Sequence, residues 1–143
     1  MKGSIVNKVL GVYDLFLSIG AMYYGSLMVL GLWWQGEKFP DVWMDKVPFR
    51  SWFWPGVIAI VVYGLGNIIA GIYAFSKKSS GWIASGVMGV FFFTSLIISL
   101  YLLEECYLAT FQFILLSILQ IILSCMAFIV YINNKAKGKN DNE

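Results

Sequence analysis

The sequence predicts an all-α fold, an integral membrane four-helix bundle with both termini inside and helices over about 5–34, 55–76, 80–103 and 108–132. Three observations predict it. The chain is 59% hydrophobic and 13% charged, whereas soluble proteins carry about 25% charged residues. Four charge-free runs stand out, Leu15–Gly36, Ser51–Ser76, Ser79–Leu103 and Cys106–Asn134. Each reaches the roughly 20 residues a helix needs to cross a hydrocarbon core about 30 Å thick. The connections between the second and third runs and between the third and fourth are short, so these neighbours form antiparallel hairpins.

The first run follows Lys2 and Lys8, a pattern that also begins secretory signals. A signal's apolar region spans only about 7–15 residues, so this run is expected to stay as the first span. Orientation follows the bias of Lys and Arg between short loops. Lys2, Lys8, Lys77, Lys78, Lys135, Lys137 and Lys139 fall on one side, and Lys38, Lys46 and Arg50 on the other. The richer side is read as the cytoplasmic one, which puts both termini inside. The tail from residue 133 to 143 has the polar composition of a disordered end.

Between the first and second spans, the segment 35–54 and its exit into helix two read KFPDVWMDKVPFRSWFWPG from Lys38. Trp33, Trp34, Trp43, Trp52 and Trp54 are five of the six tryptophans, and indole favours the headgroup zone, where its body is apolar and its N–H still finds water. The segment is therefore expected to lie on the membrane as an interfacial loop. Pro40 suits the start of a short helical turn with Asp41 near its positive end, and Pro48 stops it. Val42, Trp43, Met44 and Val47 are expected against apolar neighbours, with Asp45 and Lys46 in water. Pro55 and Gly56 set up entry into the second helix.

The series Phe39-Pro40-Asp41-Val42-Trp43, Pro48-Phe49 and Pro55-Gly56 resembles a family of small four-helix bacterial membrane proteins of uncharacterised function. The resemblance implies a multi-pass protein of the bacterial cell membrane and carries no activity with it. It covers the helix plan along almost the whole chain, but its motif only about residues 39–56.

In lipid, helices associate through close packing of small residues and hydrogen bonds between polar ones. Each span shows such a stripe. The first has Asn7, Gly11, Asp14, Ser18, Ala21 and Gly25; the second Gly56, Ala59, Tyr63, Gly66 or Asn67, and Ala70. The third has Gly81, Ser85, Met88, Phe92, Ser95 and Ser99; the fourth Phe113, Ser117, Gln120, Ser124, Ala127 and Tyr131. Asp14 is the most informative of these, because an ionisable group in hydrocarbon costs at least about 2.5 kcal/mol. Asn67 lies at similar depth on the returning helix and can donate two hydrogen bonds, so Asp14 and Asn67 are expected as an intramembrane polar pair. Tyr13, Tyr63 and Gln120 are the other candidate donors. A relay of protons or cations needs several titrating members, so the pair is read first as a pin between helices.

Several chemistries are disfavoured. There is no histidine, which removes imidazole metal sites and the usual general base. The two cysteines, Cys106 and Cys125, are 19 residues apart, about 28 Å along a helix, too far for a disulfide. Glu104 and Glu105 are adjacent, so they point about 100° apart rather than into one site, and Glu104 is expected to meet Lys46 or Arg50. Gly64, Gly66 and Gly71 interrupt an apolar run rather than follow a strand, so they read as packing positions, not a nucleotide loop.

No cofactor or metal is expected. The expected partners are membrane lipids and a larger membrane complex or further copies of the chain, with no nucleic acid. The leading functional expectation is a non-enzymatic accessory or assembly subunit. The alternative is a binder or transporter of an amphipathic small molecule or lipid, held beneath the loop by Trp43, Phe49, Trp52, Tyr101, Glu104 and Phe113.

Overall fold

A computed structural model of the chain describes residues 2–32, 38, 41–76, 80–104 and 108–140. Trp33, Trp34, Phe39, Pro40, Glu105 and Cys106 lie outside the described residues. The elements are α1 (Lys2–Val29), α2 (Asp41–Met44), α3 (Phe53–Ile58), a π-helical stretch (Ala59–Leu65), α4 (Gly66–Phe75), α5 (Gly81–Leu103) and α6 (Leu108–Asn140). The π stretch joins α3 to α4 as one continuous second span. Four helices are long and apolar enough to cross a membrane: Ile5–Val29, Phe53–Phe75, Gly81–Leu103 and Leu108–Lys137.

Three boundaries differ from the sequence reading. α1 ends at Val29 rather than near residue 34, because Gly31 takes a left-handed conformation at φ 69°. Leu32 N–H then reaches Leu27 O at 2.9 Å and Gly31 N–H reaches Met28 O at 3.0 Å, the paired bonds that close a helix around a glycine. The second span begins at Phe53, two residues before Pro55, since a proline in the first helical turn displaces no intrahelical hydrogen bond. α6 runs to Asn140, so residues 133–140, expected in a disordered tail, continue the helix. Lys135 and Lys137 near its carbonyl end complement the helix dipole.

α5 ends without glycine. Glu104 occupies the left-handed region at φ 54° and its N–H closes on Leu100 O at 3.0 Å.

Consecutive spans run antiparallel and α6 returns to α1, closing a ring. Gly25 abuts Gly56 while Gly11 and Gly71 meet further along the same crossing. A Cβ on Gly56 would lie 2.7 Å from Gly25 O and 2.8 Å from Val29 N, both backbone atoms. A Cβ on Gly81 would lie 2.6 Å from Ala74 Cα, so the α4–α5 turn also depends on backbone contact. Such approach is how helices gain packing energy where surrounding lipid is as apolar as their side chains.

The radial pattern is the reverse of a soluble bundle. Ile19, Val87, Phe91, Leu108 and Ile129 are among many large apolar side chains on the outside, whereas Asp14, Ser18, Asn67, Ser85, Ser117, Gln120 and Ser124 are buried. The buried set falls on the stripes read from the sequence, with Ser99, exposed on α5, as an exception.

Candidate functional site

Four of the buried polar residues, one from each span, form one cluster. Asp14, Ser85 and Gln120 are 0% exposed and Asn67 is 1% exposed. Gln120 Nε2 donates to Asp14 Oδ1 at 2.8 Å and to Asn67 Oδ1 at 2.7 Å. Ser85 Oγ donates to Asp14 Oδ2. Asn67 Nδ2 donates to Tyr63 O at 2.8 Å, within the π-helical stretch. Asp14 and Asn67 thus share a site as the sequence suggests, but Gln120 is the bridge between them.

The same cross-helix bonding continues above and below. Tyr13 Oη donates to Leu116 O at 2.7 Å, Tyr63 Oη bonds Ser95 Oγ, and Ser124 Oγ donates to Trp82 O at 2.5 Å. Each joins two spans. Among the described residues, no group of three or more His, Cys, Asp or Glu side chains could hold a metal ion.

Of the six residues expected to enclose a ligand beneath the loop, Trp43 and Trp52 are in ring contact with each other. Trp43 is buried and its ring stands edge-on to Trp52, centroids 6.2 Å apart. Phe49 is half-buried. Phe113 packs instead against Tyr24 at 5.2 Å and Phe92 at 6.1 Å. Tyr101 is 83% exposed, which removes it from any enclosed lining. Val42, expected against apolar neighbours, is exposed, because a single helical turn can bury only one face and Trp43 takes it. Glu104 does meet Lys46, at 3.7 Å, and the same ammonium donates to Leu103 O at 3.0 Å. The loop is thereby tied to the carbonyl end of α5, where a cation offsets the helix dipole.

A groove of about 430 Å³ opens elsewhere, between α5 and α6 toward the end that carries the termini. Its lining includes Trp82, Gly86, Val87, Phe91, Ser124 and Phe128 and none of the six loop-site residues. A Cβ on Gly86 would lie 2.7 Å from Ser124 Oγ, so the groove's small residues are also where the two helices close on each other. Sequence reasoning named Ser85 and Ser124 as stripe members without their partners, and passed over Trp82. Stripe periodicity gives the inward face of a helix but not which residue of the next helix stands opposite.

This fold and cluster define an all-helical protein with four helices long and apolar enough to span a membrane, held together by an internal polar network. No family model, curated protein or solved structure matches the chain.

Proposed function

We propose that the chain is a non-enzymatic accessory or assembly subunit of a larger complex in a bacterial cell membrane, with both termini in the cytoplasm and the aromatic loop on the outer surface. The observation that carries this reading is the division of labour between polar and apolar surface. The buried side chains of Asp14, Gln120 and Asn67 hydrogen-bond one another across helices, which suits a lock better than a reaction centre. The outward surface is apolar, and the α5–α6 groove sets Gly86 and Ser124 beside Trp82, Phe91 and Phe128. Small residues flanked by large ones form the relief into which another transmembrane helix packs. The occupant in this reading is an apolar helix of another subunit.

The test is native mass spectrometry after gentle extraction, comparing the wild type with Val87→Trp, which fills the groove, and with Val12→Trp on the exposed face of α1. A protein partner of fixed stoichiometry, lost in Val87→Trp and kept in Val12→Trp, is the expected result. A retained lipid-like mass lost in the same variant supports the alternative, a binder of an amphipathic small molecule or lipid, in place of the subunit reading. Identical spectra for all three proteins overturn both.

A further inference from the structure

We propose that Asp14 is a proton-binding site, in which the folded bundle holds the carboxyl as a neutral acid with its proton on Oδ2, between Asp14 and Ser85. The direction of the surrounding hydrogen bonds carries this. Tyr63 O is a carbonyl and can only accept, so the group of Asn67 that faces it must be the amide nitrogen. Asn67 Oδ1 therefore faces Gln120 and needs a donor, which fixes the Gln120 nitrogen on that side. The same nitrogen lies 2.8 Å from Asp14 Oδ1, so Oδ1 is an acceptor. A proton then has one place left, Oδ2, whose partner, the Ser85 hydroxyl, can accept from it instead of donating to it. With the proton there, the Ser85 O–H turns to a carbonyl one turn back on α5, the usual acceptor for a helical serine.

A further observation points to a proton at this place. No counter-charge compensates an ionised Asp14 among the described residues. On its own helix, Tyr13 is committed to Leu116 O and Lys8 is exposed, six residues away or about 9 Å along the axis. From the second span the titratable groups are Tyr63, bonded to Ser95, and Tyr73, exposed on the outer face. α5 brings Ser85, with Tyr101 and Glu104 at its far end, and α6 brings Gln120, with Cys125 exposed and Tyr131, Lys135 and Lys137 further toward its terminus. A lone carboxylate in such a setting carries the full cost of a charge in hydrocarbon, which a proton removes. A monovalent metal ion fits less well, because the Gln120 nitrogen already occupies the position between Asp14 Oδ1 and Asn67 Oδ1.

The test is infrared spectroscopy of the full-length protein in lipid nanodiscs, with aspartate labelled with ¹³C at the side-chain carboxyl. At neutral pH the wild type is expected to show an isotope-sensitive carbonyl band of a protonated carboxylic acid. That band is lost in Asp14→Asn and displaced in Ser85→Ala, which removes the proton's partner. Asp14→Asn, which is uncharged and pairs a donor nitrogen with an acceptor oxygen as the neutral acid pairs a hydroxyl with a carbonyl, is expected to keep the wild-type melting temperature. Only carboxylate bands from Asp14 at neutral pH overturn the proposal. So does a melting temperature that follows sodium or potassium concentration at fixed pH, which assigns the site to a metal cation. Should Asp14→Asn fail to fold, the labelled band and its displacement in Ser85→Ala decide the question in the wild-type background.

Discussion

Gln120 on the last helix hydrogen-bonds Asp14 on the first at 2.8 Å, across 106 residues of sequence, with both side chains fully buried. Because the same amide nitrogen also serves Asn67, its removal leaves two acceptors short at once. Gln120→Leu is expected to cost about 1–3 kcal/mol, the range for stranding a buried polar partner. In a double-mutant cycle, Asp14→Leu with Gln120→Leu should depart from additivity by roughly 0.6–2 kcal/mol, read by reversible unfolding in a defined lipid or detergent. Additivity within about 0.3–0.5 kcal/mol would break the link between them.

The α1–α3 crossing depends on bare backbone. Gly56→Ala is expected to force the two helices apart, since its new methyl meets Gly25 O at 2.7 Å, at a cost of about 1–3 kcal/mol. Gly20→Ala, with nothing within 4 Å of the added carbon, should be neutral or slightly stabilising. Equal melting temperatures for the two variants would refute this contact.

At the loop end, Glu104 holds a left-handed conformation that a side chain disfavours. Glu104→Gly is expected to stabilise the protein by about 0.4–1 kcal/mol despite losing the contact with Lys46, because an exposed ion pair contributes little. A melting temperature below that of the wild type would mean that the ion pair outweighs the strain.

Lys46 also donates to Leu103 O, and that bond should matter more than the ion pair. Lys46→Met is predicted to speed amide hydrogen exchange in residues 41–50 while leaving exchange at the centre of α1 unchanged. Unaltered exchange over 41–50 would show that the loop is held by other contacts, such as the Trp43–Trp52 pair.

Orientation is testable with single cysteines at exposed positions in a background lacking Cys106 and Cys125. A probe at Asn134 is expected to react with impermeant reagents only from the cytoplasmic side, and one at Asp45 only from outside. The opposite accessibility would invert the proposed topology.

The sequence by itself determined the number of spans, the all-helical class and the inward face of each helix. These follow from local quantities: run length against bilayer thickness, and the spacing of small and polar residues around a helix. It also identified Asp14 and Asn67 as residues that need partners, because an acid in an apolar run is costly wherever its helix lies. Helix ends were less legible. The stop at Gly31 depends on a left-handed conformation that glycine permits but does not require, and the stop at Glu104 has no glycine to announce it. Only the tertiary structure decided which side chains meet. The rotation and axial shift of one helix against another are set by contacts such as Gly25 with Gly56 and Gly81 with Ala74, where two backbones exclude everything larger than hydrogen. A shift of one residue along α6 turns its side chains by about 100° and would take Gln120 away from Asp14. That register is a property of all four helices together, so no single stretch of sequence carries it.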